Sequence, residues 1–223
     1  MKKFNWQYAL GELVLIFLGI TLAIAFQNWN EQKKQERLEG VVLQQLKVAL
    51  DNDLQDVNAN LATHNRGKKS CQKMLQILTS PGLVAPEDLL RNVMPAIDFT
   101  FLVSDISTYE YLKSVGLHII QNDSLRRQIT YLYDVVYEGI YGVENNAKPI
   151  QQDVISDLKK YFTGTPESIT PYRDVNDAKN DTSLKFDLKN LEFAHGIMIR
   201  RYTQDIKPEL ERLIRMVDKE LEE

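Results

Sequence analysis

Few residues in this chain are equipped for chemistry, and their spacing does little to gather them. His64, His118 and His195 are far apart, and none stands three or four residues from another histidine or from Cys71, so helical metal-ligand spacing is absent. Asp51, Asp53 and Gln55 imitate the opening of an EF-hand loop, but Asp56 stands where the sharp turn needs glycine and Ala62 where a bidentate carboxylate is needed. These acids are therefore read as a solvated helix face. Cys71, the one cysteine, follows Lys68 and Lys69, whose charge favours a thiolate; on a helix it is better read as a half-buried small residue. The chain has no G-x-S-x-G, no Walker loop and no dinucleotide fingerprint. An enzyme is left only a non-local site, with His118 or His195 meeting acidic residues, and no metal or cofactor is expected.

Two kinds of binding residue remain. Arg126-Arg127 and Arg200-Arg201 are the main basic pairs, each arginine able to clamp a carboxylate or phosphate bidentately. Tyr133, Tyr137 and Tyr141 recur every fourth residue, a spacing that suits either a ligand cleft or rings packed in a core with their hydroxyls at its edge. The second is the better reading. With 27 Lys plus Arg against 31 Asp plus Glu, the net charge of -4 leaves no broad electropositive surface for a phosphate backbone, which argues against nucleic acid as a partner.

The elements that must position these residues begin with an apolar run. Tyr8 to Phe26 holds one charge, and at 1.5 Å per residue it spans roughly 28 Å, the depth of a bilayer's hydrocarbon core. Trp6, Tyr8 and Trp29 flank it as interfacial aromatics. A cleaved signal peptide is the competing reading, since Met1-Lys2-Lys3 is basic and Ala23-Ile24-Ala25 fits the small-x-small rule. The unbroken passage into the helix-favouring stretch after Phe26 favours an uncleaved anchor. Lys2 and Lys3 nearly balance Lys33, Lys34 and Arg37 under the positive-inside rule, so orientation rests on the short tail, which places the soluble part outside the cytoplasm as a signal anchor of the inner membrane. Glu12 lies one turn into the span, where it reaches the interface or is protonated; alternatively Glu12, Gly19 and Ala23, with Gly11 beside them, mark a face for another helix. The expected partners are the bilayer and a second copy or another membrane protein.

Gly11-Glu12-Leu13, Gly19-Ile20 and Asn28-Trp29-Asn30-Glu31 resemble the signature of an uncharacterised family of single-pass membrane proteins from Bacteroidota. Residues 107–133 and 188–202 are also similar to it, in helical pattern and in the order Tyr, Gly, Ile-Ile, Leu-Arg. The resemblance implies a membrane anchor and brings no activity, cofactor or catalytic residue.

The expected class is all-α: a tail over 1–7, a transmembrane helix over 8–26, a polar helical stalk over 27–40 and an antiparallel bundle of long helices over 41–223. Leu43, Leu46, Leu50, Leu54, Val57 and Leu61 form the seam of a first long helix that Arg66-Gly67 ends. Pro86 opens a short helix ending near Pro95; Asp98 to Val103 is a buried connection or a brief strand. Ser107 and Glu110 make a capping box, Gly116 closes that helix and Asn122 caps the next. Thr163 to Asp181 is the longest irregular segment, and Pro208 kinks a last helix over 183–222. The functional expectation is a membrane-tethered interaction module, scaffold or accessory subunit, with a small-ligand sensor as the alternative.

Overall fold

The structure, a computed structural model, describes residues 6–164 and 168–222, with side chains from Leu10 onward; the interfacial placement of Trp6 and Tyr8 and the tail before them lie outside the described side chains. The chain is all-α. Its axis is one helix, α1 (Trp6–Thr79), whose 74 residues are about 111 Å long at 1.5 Å per residue. Its first part is long and apolar enough to cross a membrane, and from Leu10 to Leu38 every residue but the half-buried Glu36 lies exposed. The first buried residue is Glu39, whose carboxylate accepts from the Gln121 N–H at 2.8 Å.

From Val42 onward one face of α1 carries Leu43, Leu46, Leu50, Val57, Met74 and Leu78 into the core. The turn expected at Arg66-Gly67 does not form. A glycine inside a helix costs about 1 kcal/mol, which is too little to stop one whose next turns bury Cys71 and Met74. Gly67 is instead a contact point: a Cβ there would sit 2.3 Å from the His195 ring.

Around α1 stand α2 (Pro86–Ile97), α3 (Ser107–Val115), α4 (Asp123–Tyr131), α5 (Glu138–Leu158), α6 (Thr182–Arg201) and α7 (Lys207–Glu222). Helices α6 and α7 run antiparallel to α1, as expected, and the cross-links read in descending order: Lys47 to Asp218, Asn58 to Lys207, His64 to His195, Gln72 to Glu192. The C-terminal helix thus returns toward the stalk. Pro86 is the first residue of α2, with Glu87 and Asp88 at its positive end, and Pro95 lies inside the helix, which runs on to Ile97.

The expected capping box of α3 is absent. Asp105 takes that role: one carboxylate oxygen accepts from both the Ser107 N–H (3.0 Å) and its hydroxyl (2.5 Å), while Glu110 pairs with Lys113. In a capping box the Glu110 carboxylate would reach back to the Ser107 N–H and the Ser107 hydroxyl would accept from the Glu110 N–H; Asp105 already takes the first group, and the Ile106 carbonyl the second. Gly116, at φ +105°, closes α3, and Asn122 caps α4 by accepting from Ser124 and Leu125.

Two π-helical turns interrupt the helices. One, Leu132–Tyr137, joins α4 to α5; the other, Tyr202–Ile206, joins α6 to α7 just before Pro208, whose missing N–H makes this the weak point of the ladder. The stretch expected to be irregular after Thr163 is more ordered than its composition suggested. Phe162–Thr163 pairs antiparallel with Thr170–Pro171, and Val175–Asn180 forms a 3₁₀ turn capped by Asp174. Thr165, Pro166 and Glu167 lie outside the described residues.

Candidate functional site

The interior is not purely apolar. On α1, Asp53, Asp56, Asn60 and His64 follow one another at three or four residues, so they share a face, and that face meets the irregular stretch 98–106. This stretch is neither helix nor strand, yet Phe99 and Leu102 are buried, so its backbone needs partners inside the protein. Side chains supply them. Asp53 accepts from the Asp105 N–H at 2.8 Å and Asp56 from the Val103 N–H at 3.0 Å, and Asn60 donates to the Phe101 carbonyl at 3.1 Å. From α5, Glu144 accepts from the Leu102 N–H at 2.7 Å and Gln151 donates to the Ile97 carbonyl at 2.7 Å. Asp53, expected on a solvated face, is 1 % exposed, because burying 98–106 requires an acceptor at that height.

Tyrosines close the network from the other side. Tyr137 donates to the free oxygen of Asp53 at 2.5 Å, Tyr202 donates to Glu144 at 2.9 Å, and the hydroxyls of Tyr141 and Ser104 lie 2.5 Å apart. The Tyr133 ring stacks on Tyr109 with centroids 4.5 Å apart. Tyr133, Tyr137 and Tyr141 therefore belong to the core and its edge. Burial raises the pKa of all three phenols above the ordinary tyrosine value, so they are neutral donors.

The histidines that sequence spacing separates meet across α1 and α6. His64 and His195 are wholly buried with their Nδ1 atoms 3.0 Å apart, and His195 Nε2 lies 3.0 Å from the Ala96 carbonyl. A carbonyl only accepts, so His195 carries its proton on Nε2. Its Nδ1 is then an acceptor, and His64 donates from Nδ1. Both rings are neutral. Burial, reinforced by the neighbouring ring, pushes the His64 imidazolium down to about 3, and burial lowers His195 in the same direction.

This arrangement can hold a backbone segment, but it activates no nucleophile. Burial pushes the Cys71 thiol up to about 12 despite its flanking lysines, so the half-buried cysteine expected from sequence is a wholly buried, protonated one. Burial also raises Asp53 to about 6, a value suited to proton transfer, yet both its oxygens are already engaged. Among the described residues, no three His, Cys, Asp or Glu side chains are placed to hold a metal ion.

The remaining binding candidates are dispersed. Arg126 donates to the Ile120 carbonyl at 2.9 Å and pairs with Asp123, while Arg201 pairs with Asp205 at 2.7 Å. Arg200 points elsewhere, bordering a shallow recess with Lys68 and Phe193. These arginines and the tyrosine face do not converge. Gly11, Glu12, Gly19, Ala23 and Trp29 lie on the exposed leading part of α1, with the Phe26 and Trp29 rings 5.8 Å apart. The polar seam was the part missed from sequence; its one signal was polar residues continuing the apolar 46–50–57 face at helical spacing. Comparison with curated proteins and with solved structures gives no match. Residues 12–190, most of both the long helix and the bundle, match the family of unknown function DUF6090, and the chain belongs to that family.

Proposed function

We propose that this chain is a membrane-tethered interaction module: a single-pass inner-membrane protein that holds a rigid helical bundle outside the cytoplasm for protein partners. One observation carries the reading. The apolar segment, the polar stalk and the spine of the core are a single unbroken helix. A bundle built on that helix cannot swing freely; from Phe26 to Glu39 it is held roughly 20 Å above the bilayer. A fixed height suits an accessory subunit or scaffold whose partners share the membrane, and the family match, residues 12–190, includes the stalk from Phe26 to Glu39 that sets this height. The test is membrane extraction combined with paired cytoplasmic and periplasmic reporters fused after Glu223. The proposal expects a full-length chain that resists alkaline carbonate and an active periplasmic reporter. A chain shortened by about 25 residues, or released by carbonate, would remove the tether.

A second reading rests on a groove of about 820 Å³ between α2 and α5, lined by Val93, Met94, Ile97, Ile155, Leu158 and Phe162. Its size falls within the range of small-molecule sites, so a sensor of apolar ligands is the competing function. Tyr133, Tyr137, Tyr141 and Arg126 do not line it. Ile155→Trp would fill the groove; loss of a ligand-dependent rise in melting temperature in that variant would favour the sensor.

A further inference from the structure

From the outer face of α1 we infer that the chain forms a parallel homodimer, with the two long helices meeting along the small-residue side of the apolar segment and again between Val41 and Ala62, on either side of the charged stalk. The inference rests on the membrane-tether reading and names the partner it left open. Between Val41 and Ala62 α1 shows ten exposed residues, of which Asp51 is the one charged residue; Asn58, at the edge, accepts from Lys207 of its own bundle, and the others turn away from it. The others are valine, alanine, glutamine and asparagine. In a chain that is 26 % charged, an exposed helix face 22 residues long normally carries several charges. Loss of charge at the centre of a surface is the compositional mark of an interface.

The direction of this face identifies its occupant. At 100° per residue on a straight helix, Gly19, Ala23, Val41, Val48, Gln55 and Ala59 fall within about 40° of arc, so the small-residue face of the apolar segment and the uncharged face of the bundle lie on one side of α1, with Asn30, Lys34 and Arg37 of the stalk between them and Glu12 at the start of the same side. A Cβ at Gly19 would meet nothing within 4 Å, so that face is open. Two copies anchored by the same end in one bilayer are parallel and at equal height, related by a two-fold axis along the membrane normal. Each residue on the face then meets its own twin. A charged face between Val41 and Ala62 would repel itself under that symmetry, whereas Lys34 of the stalk is paired with Glu31 of its own helix. Amide side chains each carry a donor and an acceptor, so Gln and Asn complement themselves; Val and Ala allow close approach, and Asn52 at the seam selects the register.

The test is disulfide trapping of the full-length chain in native membranes, with single replacements Val41→Cys, Val48→Cys and Ala59→Cys on the face. Phe186→Cys and Phe193→Cys, 66 % and 68 % exposed on α6, serve as controls. Cys71 is wholly buried and gives no background. Because a disulfide needs Cα atoms within about 7 Å, the face positions should give dimer at least tenfold more efficiently than the controls. Equal trapping at α6, or adducts to a different protein, would overturn the homodimer. Carbonate extraction of the same membranes separates the two ideas. A retained chain that gives no dimer at any face position refutes the dimer alone, whereas a released chain refutes the tether and the shared polarity with it.

Discussion

Gly67→Ala is the substitution whose sign the fold determines most clearly. By helix propensity alone it should stabilise, since alanine gains about 1 kcal/mol over glycine inside a helix. The new methyl carbon, however, would stand 2.3 Å from His195 Cε1, 2.4 Å from Nε2 and 2.9 Å from Nδ1, against the 3.5–4.0 Å of a comfortable contact. His195 has no room to yield, being fully buried and held at 3.0 Å by the Ala96 carbonyl and at 3.0 Å by His64. Either α1 and α6 separate by more than 1 Å, or the ring turns and gives up both hydrogen bonds. Either route costs up to about 3 kcal/mol, leaving a net loss of about 2 kcal/mol.

Gly40 supplies the internal control. It lies in the same helix, and a Cβ added there would meet nothing within 4 Å, so Gly40→Ala should gain about 1 kcal/mol. The two variants of one helix should therefore differ by about 3 kcal/mol, or roughly 6–12 °C in Tm for a domain of this size. Circular dichroism melts of the full-length chain in detergent measure the difference. Gly67→Ala melting at or above Gly40→Ala would refute the close approach of α6. Adding His195→Ala to Gly67→Ala removes the obstacle, and the pair should be markedly non-additive.

Two further outcomes follow from the polar interior. Burial raises Asp53 to about 6 in the folded protein, above its ordinary value near 3.8, so its contribution to stability is fully present below pH 4 and is lost as pH rises through 6. Asp53→Asn, which does not titrate, should therefore lose least against the parent at pH 7.5 and about 1–3 kcal/mol more at pH 4, read from urea midpoints; a gap independent of pH would contradict the burial of the carboxyl. Asn122 accepts from the Ser124 and Leu125 N–H groups and donates to Glu220 at 2.7 Å, so Asn122→Ala should cost about 1–2 kcal/mol; an unchanged melting temperature would show that the cap and its tie to α7 contribute nothing.

The legible parts of the fold were those governed by local rules. An apolar run, a seam at steps of three and four, a proline at a first helical turn and an asparagine before a helix each act within a few residues, and the helices they announce are present. The errors came where distant residues overrule local ones. Arg66-Gly67 has the composition of a helix end, but whether a glycine stops a helix depends on what lies opposite, and His195 is 128 positions along the chain. Ser107 and Glu110 have the spacing of a capping box, but Asp105 takes the Ser107 N–H from two residues upstream and Glu110 pairs with Lys113 instead.

The polar seam shows why the interior was the least legible part. Asp53, Asp56 and Asn60 on α1 look in sequence like a solvated stripe, since nothing local separates an acid facing water from one facing a backbone that needs it. The difference lies in residues 98–106, which are too apolar to stay at the surface and too irregular to satisfy their own amides. Once Phe99 and Leu102 are buried, each inward N–H requires an acceptor from a neighbouring helix, and α1 provides one about every turn. The polar residues of α1 are thus a consequence of the loop's burial. Tyrosines then engage the same acids from the other side, Tyr137 taking the second oxygen of Asp53 and Tyr202 sharing the Glu144 oxygen that accepts from Leu102, so the network ties the loop to α1, the π-helical turns and α5 at once.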